Sequence, residues 1–586
     1  MYKHIYLLSF NFILAFFVSG CVDSSETNQN DNNSEQGQIT ADLVLRSGFI
    51  ATVDPTIGNV TAMAVNDFSI TAVGSDQEIN QFIGAETEII ELDGRFVMPG
   101  FIEGHGHYMS LGRSKQILDL NDVDGWEEIV SKVAVAVDKS KPGEWIFGRG
   151  WHQDKWNSVP EDAVEGVPVN DTLSKVSPEN PVVLGHASGH AAFWNDAALE
   201  IAGVNDKTLD PEGGTIVRDK SGKATGLMRE TAQRLISKAR NEYDGRLTPQ
   251  QIDIQNRERA RMAADEALKN GVTSFHDAGA SFETIDFFKQ LENEKALDVR
   301  LYVMVRREAN DFMDVVLPQY RMIAEGNDFL TVRSIKRQID GALGAHGAWL
   351  LEPYVDLPET SGLVLETVED IRGTAEVAVK HGFQVNTHAI GDRANRETLN
   401  IYEQVWKDLE VDGKQLRWRI EHAQHIDPED IPRFGQLGVI ASIQAVHGTS
   451  DGPWIPSRLG DERAKSTSQP WRTLFDTGAV ITNGTDVPVE RIDPIASYYS
   501  SVTRIMNNGD AFYPEHKMTR EEGLETYTIN NAYAAFEEDI KGTLSPGKYA
   551  DFIVLSNNLL NVEENEIPLT VVEMTFVGGE LKYKKQ

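Results

Sequence analysis

Eight short strand-like runs in the middle of the chain place the strongest constraint on its fold. Amphipathic segments such as "RERARMAADEALKNG" and "VEDIRGTAEVAVKHG" separate several of these runs. Alternation of strands with helices favours a parallel sheet, and eight strands are the number that closes a (β/α)8 barrel. The runs end at Ile102, His276, Val305, Gln338, His388, His422, Gln444 and Gly484. The sequence therefore predicts an α/β protein built on a TIM barrel.

Two further regions extend this barrel, which we place at residues 98–540. A patterned insertion at about residues 111–255 separates the first two strands and predicts a folded lid over the barrel mouth. Residues 41–97 and 541–586 both consist of short alternating strands with Gly and Asp at the turns. They predict one small β-sandwich, assembled from both ends of the chain.

The first 40 residues predict an export signal followed by a tether. Residues 1–20 combine Lys3 with an apolar run that is short for a membrane span, which is typical of a signal peptide. The sequence "VSGC" resembles the lipobox of bacterial lipoproteins, and its Cys21 is the only cysteine of the chain. Residues 21–40 are largely polar and predict a flexible tether. We expect an exported protein that is lipid-anchored to the bacterial cell envelope; an ordinary secretory signal is the alternative.

The charge of the chain argues against nucleic acid as a partner. It has 55 basic and 90 acidic residues, a net charge of −35. So acidic a surface repels phosphate backbones and anionic lipid headgroups. We therefore expect contact with the membrane only through the lipid anchor, whereas the composition leaves an oligomer open.

Four histidines lie where the predicted strands end. His105 and His107 follow the first run, and alternate residues of an extended segment point to the same side. His388 ends the fifth run and His422 ends the sixth. Active sites of such barrels gather at the carboxyl ends of the strands, and neutral imidazoles are preferred ligands of zinc. This pattern indicates a metal site.

Two more polar residues lie at equivalent positions. Lys336 stands in the fourth run, and Asp486 follows the eighth. Each alone has an ordinary interpretation, as an ion-pair partner or as a turn residue. Together with the histidines they predict a centre for one or two divalent metal ions, with zinc preferred. A carboxylate that can act as a base favours a catalytic centre over a structural zinc site, which closes its coordination.

Several motifs resemble the metal-dependent amidohydrolase superfamily: "VMPGFIEGHGH", "IKRQIDGALG", "THAIGDRAN", "RIEHAQ" and "NGTDVPVE". With "GRGW", "GHAAFWN" and "TSFHDAG", the chain is similar to the N-substituted formamide deformylase branch, from about Ala41 to Tyr583. The resemblance implies metal ligands at His105, His107, Lys336, His388, His422 and Asp486. It also implies that Lys336 is carboxylated to bridge two metals, and that Asp486 takes a proton from the attacking water.

Other positions are expected to support the reaction or to meet substrate. His190, in the insertion, is a candidate for holding the tetrahedral oxygen, with packing inside the lid as the alternative. His276 is expected to support the centre through a hydrogen bond to Asp277. The chain also departs from the family pattern, since Gln338 stands where an aromatic residue is common and Ser188 where Asp is usual.

These observations predict hydrolysis of a non-peptide C–N bond by metal-activated water. The expected substrate is a small molecule of the amide type, such as an amide, an N-formyl compound or a cyclic amide. Two alternatives stay open: hydrolysis of an ester or phosphoester at the same site, and a surface lipoprotein that only binds metal or ligand.

Replacing Cys21 tests the anchor. Because the cysteine sulfur is the acylation site of a lipobox, Cys21→Ser should leave the protein without lipid and absent from membrane fractions. Metabolic labelling with a fatty acid and fractionation of cells measure both properties. A Cys21→Ser protein that still carries label and sediments with membranes would contradict the lipoprotein interpretation.

Overall fold

The computed structural model describes residues 40–586, apart from residues 122, 152, 154, 155, 159, 165, 187–190, 212, 213, 307 and 345. Cys21 and His190 lie outside the described residues, so the expectations that rest on them stay predictions. Among the residues described, no helix combines the length and the apolar character needed to cross a membrane.

Eight parallel strands form the barrel, and the predicted fold class is confirmed. In chain order they are β1 (Phe101–Gly106), β2 (Val272–Ala280), β3 (Arg300–Arg306), β4 (Leu330–Gln338), β5 (Gln384–Ala389), β6 (Arg419–His422), β7 (Ile440–Ile443) and β8 (Ile481–Asn483). Each strand pairs in parallel with the next one along the chain, from β1 to β8. All eight predicted runs are therefore strands of one sheet.

Side chains close the seam between β1 and β8. The Nδ2 atom of Asn531 donates to the carbonyl oxygens of Ile102, at 2.7 Å, and Asn483, at 2.9 Å. The buried carboxylate of Glu103 accepts the backbone N–H of Thr485 at 2.5 Å and its hydroxyl at 3.1 Å. Buried backbone groups need partners, and here side chains from elements distant in the sequence provide them.

Helices surround the barrel and bury their apolar faces against it. The helix Pro249–Lys269 begins with a capping box at Thr248. The hydroxyl oxygen of Thr248 accepts the backbone N–H of Gln251, and the side-chain oxygen of Gln251 accepts the backbone N–H of Thr248. Its buried face carries alanines at i, i+3, i+4 and i+7 from Ala260. The other helices of the barrel region are Phe282–Asn293, Asn310–Tyr320, Val368–His381, Asp392–Asp408, Ile431–Leu437, Trp471–Asp476, Pro494–Thr503, Arg520–Thr526 and Ile529–Ala534.

Shorter elements complete the barrel region. The strand Met322–Ala324 pairs antiparallel with β4. Short helices are Tyr108–Ser114, Glu325–Asp328, Gly413–Leu416, Ala445–Ser450, Ile455–Leu459 and Asp461–Thr467, with 3-10 turns at Pro514–His516 and Glu564–Leu569.

Both ends of the chain contribute to one six-stranded sheet. The strand Phe96–Pro99 pairs in parallel with Phe49–Ala51 and antiparallel with Phe552–Leu555, and it leads directly into β1. The remaining strands of this sheet are Asn59–Val60, Val572–Val577 and Glu580–Lys584. A second sheet contains Leu43–Arg46, Ala62–Asn66, Ser69–Gly74 and Glu88–Glu91, and is joined by the helix Asp76–Ile79 and the turn Asn80–Phe82. Apolar side chains of both sheets share one core.

A second six-stranded sheet is inserted between β1 and β2, within the predicted lid region. In sheet order its strands are Gly214–Arg218, Ala224–Glu230, Ala191–Trp194, Val182–His186, Ile146–Trp151 and Leu118–Asp119. Its helices are Trp126–Lys139, Asp171–Val176, Asp196–Ala202, Thr231–Ile236 (a 3-10 helix) and Ser237–Asp244. Buried Trp126, Leu184 and Phe193 belong to an apolar core of the insertion itself.

Substituting Asn531 tests the seam. Asn531→Ala removes both hydrogen bonds that join Ile102 to Asn483, and each buried acceptor left without its donor costs about 1–3 kcal/mol. We expect the free energy of unfolding to fall by at least about 2 kcal/mol in urea denaturation. The exposed Asn293 bonds only within its own helix, so Asn293→Ala should change it by about 0.5 kcal/mol or less. Equal stabilities for the two variants would contradict this role.

Candidate active site

Three side chains converge at the carboxyl end of the barrel, where β1 meets β8. The Nε2 atom of His107 lies 3.2 Å from Oδ1 of Asp486, and that of His105 lies 3.6 Å from the same oxygen. One ligand atom from each of the three residues fits within a distance of 4.8 Å. The HxH pair therefore points to one spot, as its spacing predicts.

The other three predicted ligands lie beside this group. The Nζ atom of Lys336 is 3.2 Å from Nε2 of His105. The ring centres of His105 and His422 are 4.7 Å apart, and those of His422 and His388 are 4.3 Å apart. The structure thus brings together residues from β1, β4, β5, β6 and the loop after β8.

Unusual backbone angles orient the side chains of His422 and Asp486 towards the centre. Arg419 and Glu421 lie in the barrel interior, so the strand period of two would point His422 outwards. Instead, His422 has a φ of 75° and the following Ala423 a φ of 43°, and the imidazole reaches the centre. Asp486 likewise has a φ of 55°. Such angles are uncommon for residues other than glycine and cluster at functional sites.

Two of the imidazoles are held through the nitrogen that faces away from the centre. Nδ1 of His105 is hydrogen-bonded to the carboxylate of Glu421. Nδ1 of His422 donates to Oε1 of Gln444 at 2.7 Å. Nε2 of His388 lies 3.5 Å from Oδ1 of Asp340 but has no hydrogen-bond partner among the described residues. A proton on the far nitrogen leaves a lone pair on the other one, which is how histidine ligands are usually oriented.

No role was assigned to Glu421, Asp340 or Gln444 from the sequence, although each lies within a quoted motif or run. Glu421 precedes His422 in "RIEH", Asp340 follows β4 in "IKRQIDG", and Gln444 ends the seventh predicted run. A carboxylate or amide side chain at the end of a buried strand is the sequence feature that could have indicated these positions. Asp340 is further fixed by the backbone N–H groups of Ile390, at 3.0 Å, and Gly391, at 2.8 Å.

The predicted partner of His276 is wrong. Its Nδ1 accepts from the guanidinium of Arg419 at 3.2 Å, and its ring packs on Tyr302. Neighbouring strand residues point to opposite faces, so His276 and Asp277 diverge. Arg419 links His276 to the predicted metal ligands, because its Nε lies 2.7 Å from the carboxylate of Glu421, which contacts His105. It also donates to the carbonyl oxygen of Gly104 at 2.7 Å.

Burial sets the charge states of the cluster. It lowers the pKa of Lys336 to about 7 and that of His105 to about 4, and it holds the pKa values of His388 and His422 well below the usual range. Burial alone would raise the pKa of Asp486, but contact with His107 and the electrostatic effect of the neighbouring imidazoles hold it well below its usual range. The imidazoles of His105, His388 and His422 therefore favour the neutral form, and the carboxylate is ionised.

This donor set fits a cation. Oδ1 of Asp486 is buried and has no hydrogen-bond partner within the part of the chain that the structure describes, although two imidazole nitrogens lie within 3.6 Å of it. A positive charge held between these nitrogen and oxygen atoms would stabilise their close approach. Two imidazoles and a carboxylate are ligands that a divalent transition metal such as zinc accepts.

The inserted sheet also bears on the centre. Arg149 lies on the strand Ile146–Trp151 and is partly buried. Burial lowers its pKa, and the negative charge of Asp486 opposes that shift. The insertion therefore brings a guanidinium within electrostatic range of the centre, and its role as a lid stays a prediction.

A TIM barrel with such a cluster at the carboxyl ends of its strands is the architecture of a metal-dependent hydrolase. The profile of the amidohydrolase family matches residues 88–583, and the chain belongs to this family. The resemblance seen in the sequence, including that to the N-substituted formamide deformylase branch, is confirmed.

Similar proteins come from distant organisms. The protein LONG AFTER FAR-RED 3 of Arabidopsis thaliana is 35% identical, over 93% of this chain and 92% of its own length. The N-substituted formamide deformylase of Arthrobacter pascens is 24% identical, over 93% of this chain and 98% of its own. A solved structure of an uncharacterized metal-dependent hydrolase from Pyrococcus furiosus is 28% identical, with a TM-score of 0.69 over 89% of this chain and all of that one.

Proposed function

We propose that this protein hydrolyses a non-peptide C–N bond in a small amide, N-formyl compound or cyclic amide. The observation that carries the proposal is the meeting of the carboxylate of Asp486 with the imidazoles of His105 and His107. Similarity to a formamide deformylase supports the choice of bond.

Six residues would hold one or two divalent ions, zinc being preferred: His105, His107, Lys336, His388, His422 and Asp486. A divalent ion bound there lowers the pKa of water towards about 7 and polarises a carbonyl group. The protein contributes the rigid placement of these ligands. Glu421 and Gln444 fix the imidazoles of His105 and His422 before substrate arrives.

Asp486 moves the proton in this proposal. The water oxygen forms a bond to the carbonyl carbon, and the proton released goes to the carboxylate of Asp486. The C–N bond then breaks, and Asp486 returns the proton to the leaving nitrogen, so the same group serves as base and then as acid. A carboxylate that is ionised before the reaction, as the low pKa of Asp486 requires, can accept that proton.

Lys336 is proposed to react with carbon dioxide and to become a carboxylated ligand. Its ammonium must lose a proton before the nitrogen can attack, and burial favours the neutral amine because it lowers the pKa to about 7. Its Nζ already lies beside His105.

Metal removal tests Lys336 and the metal together. Chelation should abolish activity, and zinc should restore it faster when bicarbonate is present, because carbon dioxide is needed to rebuild the ligand. Lys336→Ala should reload without any effect of bicarbonate and should recover activity with added short carboxylic acids. Metal content and turnover, followed over time, measure both. Full activity without a bound transition metal would contradict the proposal that the reaction depends on a metal. Reloading that is independent of bicarbonate would contradict the proposal that Lys336 is carboxylated.

Asp486→Asn tests the proton transfer. The substitution keeps the size and one coordinating oxygen but loses basicity, so the fold and most metal binding should survive. Turnover should fall by at least ~10²-fold, the lower end for losing a positioned general base. The exposed Asp265 pairs with Arg261 at the surface, and Asp265→Asn should leave turnover unchanged. A folded, metal-replete Asp486→Asn protein with near wild-type turnover would remove Asp486 from the reaction.

A further inference from the structure

Arg306 ends β3 at the barrel mouth and faces the interior. It is the register partner of Lys336 in the parallel pairing of β3 with β4. Residues in register on neighbouring parallel strands point to the same face of the sheet. Lys336 points inwards, where its Nζ meets His105, so the side chain of Arg306 also starts towards the centre.

The backbone of the neighbouring strand β2 approaches the side chain of Arg306 closely. Gly279, near the end of β2, has a φ of 139°. A Cβ atom added to Gly279 would lie 2.3 Å from Cδ and 2.6 Å from Cβ of Arg306. Because no real Cβ approaches so closely, the stem of Arg306 occupies space that only a glycine leaves open.

A second neighbour fixes the guanidinium. Nη2 of Arg306 donates to Oε1 of Gln338 at 3.0 Å, and Nε2 of Gln338 donates to the carbonyl oxygen of Asp340 at 3.3 Å. Gln338 is itself the register partner of His388. The guanidinium is therefore held by the strand end next to a predicted metal ligand, on the rim where substrate must enter.

Arg306 lies beside the centre, as the register partner of Lys336 and the hydrogen-bond partner of Gln338. In a chain whose net charge is −35, an anion approaching the protein is repelled at long range. A fixed guanidinium at the mouth provides a local attraction, and its planar N–H groups match a carboxylate.

We propose that Arg306 binds a carboxylate group of the substrate, so that the amide hydrolysed is an N-acyl amino acid or a similar amide with a negative charge next to the scissile bond. This inference rests on the proposed function and adds its substrate class. The competing role is that Arg306 serves only as a counter-ion for buried Asp277, whose pKa burial raises to about 6. The two roles differ in whether the effect of Arg306 depends on the substrate charge.

The experiment compares two matched substrate panels on the zinc-loaded full chain. One panel contains N-formyl and N-acetyl amino acids, and the other contains the same compounds with the carboxylate replaced by a neutral primary amide. Release of formate or acetate gives kcat and KM for each compound. The wild-type protein should prefer the carboxylate panel by at least ~10-fold in kcat/KM, the effect of a hydrogen bond to a charged group.

Substitution of Arg306 should abolish this preference. Arg306→Gln should lower kcat/KM for the carboxylate panel by ~10-fold to ~100-fold more than for the neutral panel, and turnover of the neutral panel shows that the variant is folded. Arg306→Lys keeps the charge without the planar fork, so it should retain part of the preference. Arg372→Gln removes the same charge from an exposed helix position and should change neither panel.

The outcomes separate this inference from the proposed function. Equal wild-type activity on both panels, or an equal loss on both in Arg306→Gln and Arg306→Lys, would overturn the inference and leave amide hydrolysis intact. If Arg306→Gln does not fold, an unchanged preference in Arg306→Lys overturns the inference as well. Wild-type protein that is loaded with zinc and hydrolyses no amide of either panel would overturn the proposed function, and this inference with it.

Discussion

The seam between β1 and β8 is the constraint on which the rest of the molecule depends. The carboxylate of Glu103 reaches Thr485 across 382 positions of sequence, and Asn531 joins the backbones of both strands. The same seam builds the centre, because the N–H of Asp486 donates to the carbonyl oxygen of His105 at 2.7 Å. The contacts that close the barrel therefore also place two of the candidate metal ligands, His105 and Asp486.

Buried polar groups are costly unless they are paired, and this barrel pairs them in a connected path. Arg419 contacts His276, Gly104 and Glu421, and Glu421 in turn holds His105. This path links the middle of the barrel to its mouth and fixes the tautomer of a predicted ligand. The left-handed backbone of His422 and Asp486 adds strain of order 1–3 kcal/mol at each position, which the surrounding packing must sustain.

The charge distribution has two scales. Over the whole chain, acidic residues exceed basic ones by 35, a surface that keeps polyanions away. At the barrel mouth two guanidinium groups lie near the centre, Arg149 from the insertion and Arg306 from β3. They would attract the substrate anion proposed above, whereas a large polyanion meets the repulsion of the whole surface.

The sequence by itself predicted the barrel, and it predicted six candidate ligands that the structure brings close together. Strand ends such as Gln338 and His388 are readable because apolar runs of period two stop at polar residues, and the motifs around them are long. The partners of these residues were decided by the tertiary structure alone. Glu421 meets His105, and Arg419 rather than Asp277 meets His276, because register and shear across the barrel set which interior side chains share a layer. Positive φ at His422 and Asp486 has no local sequence signal, since neither residue is glycine and only the closed barrel enforces that geometry.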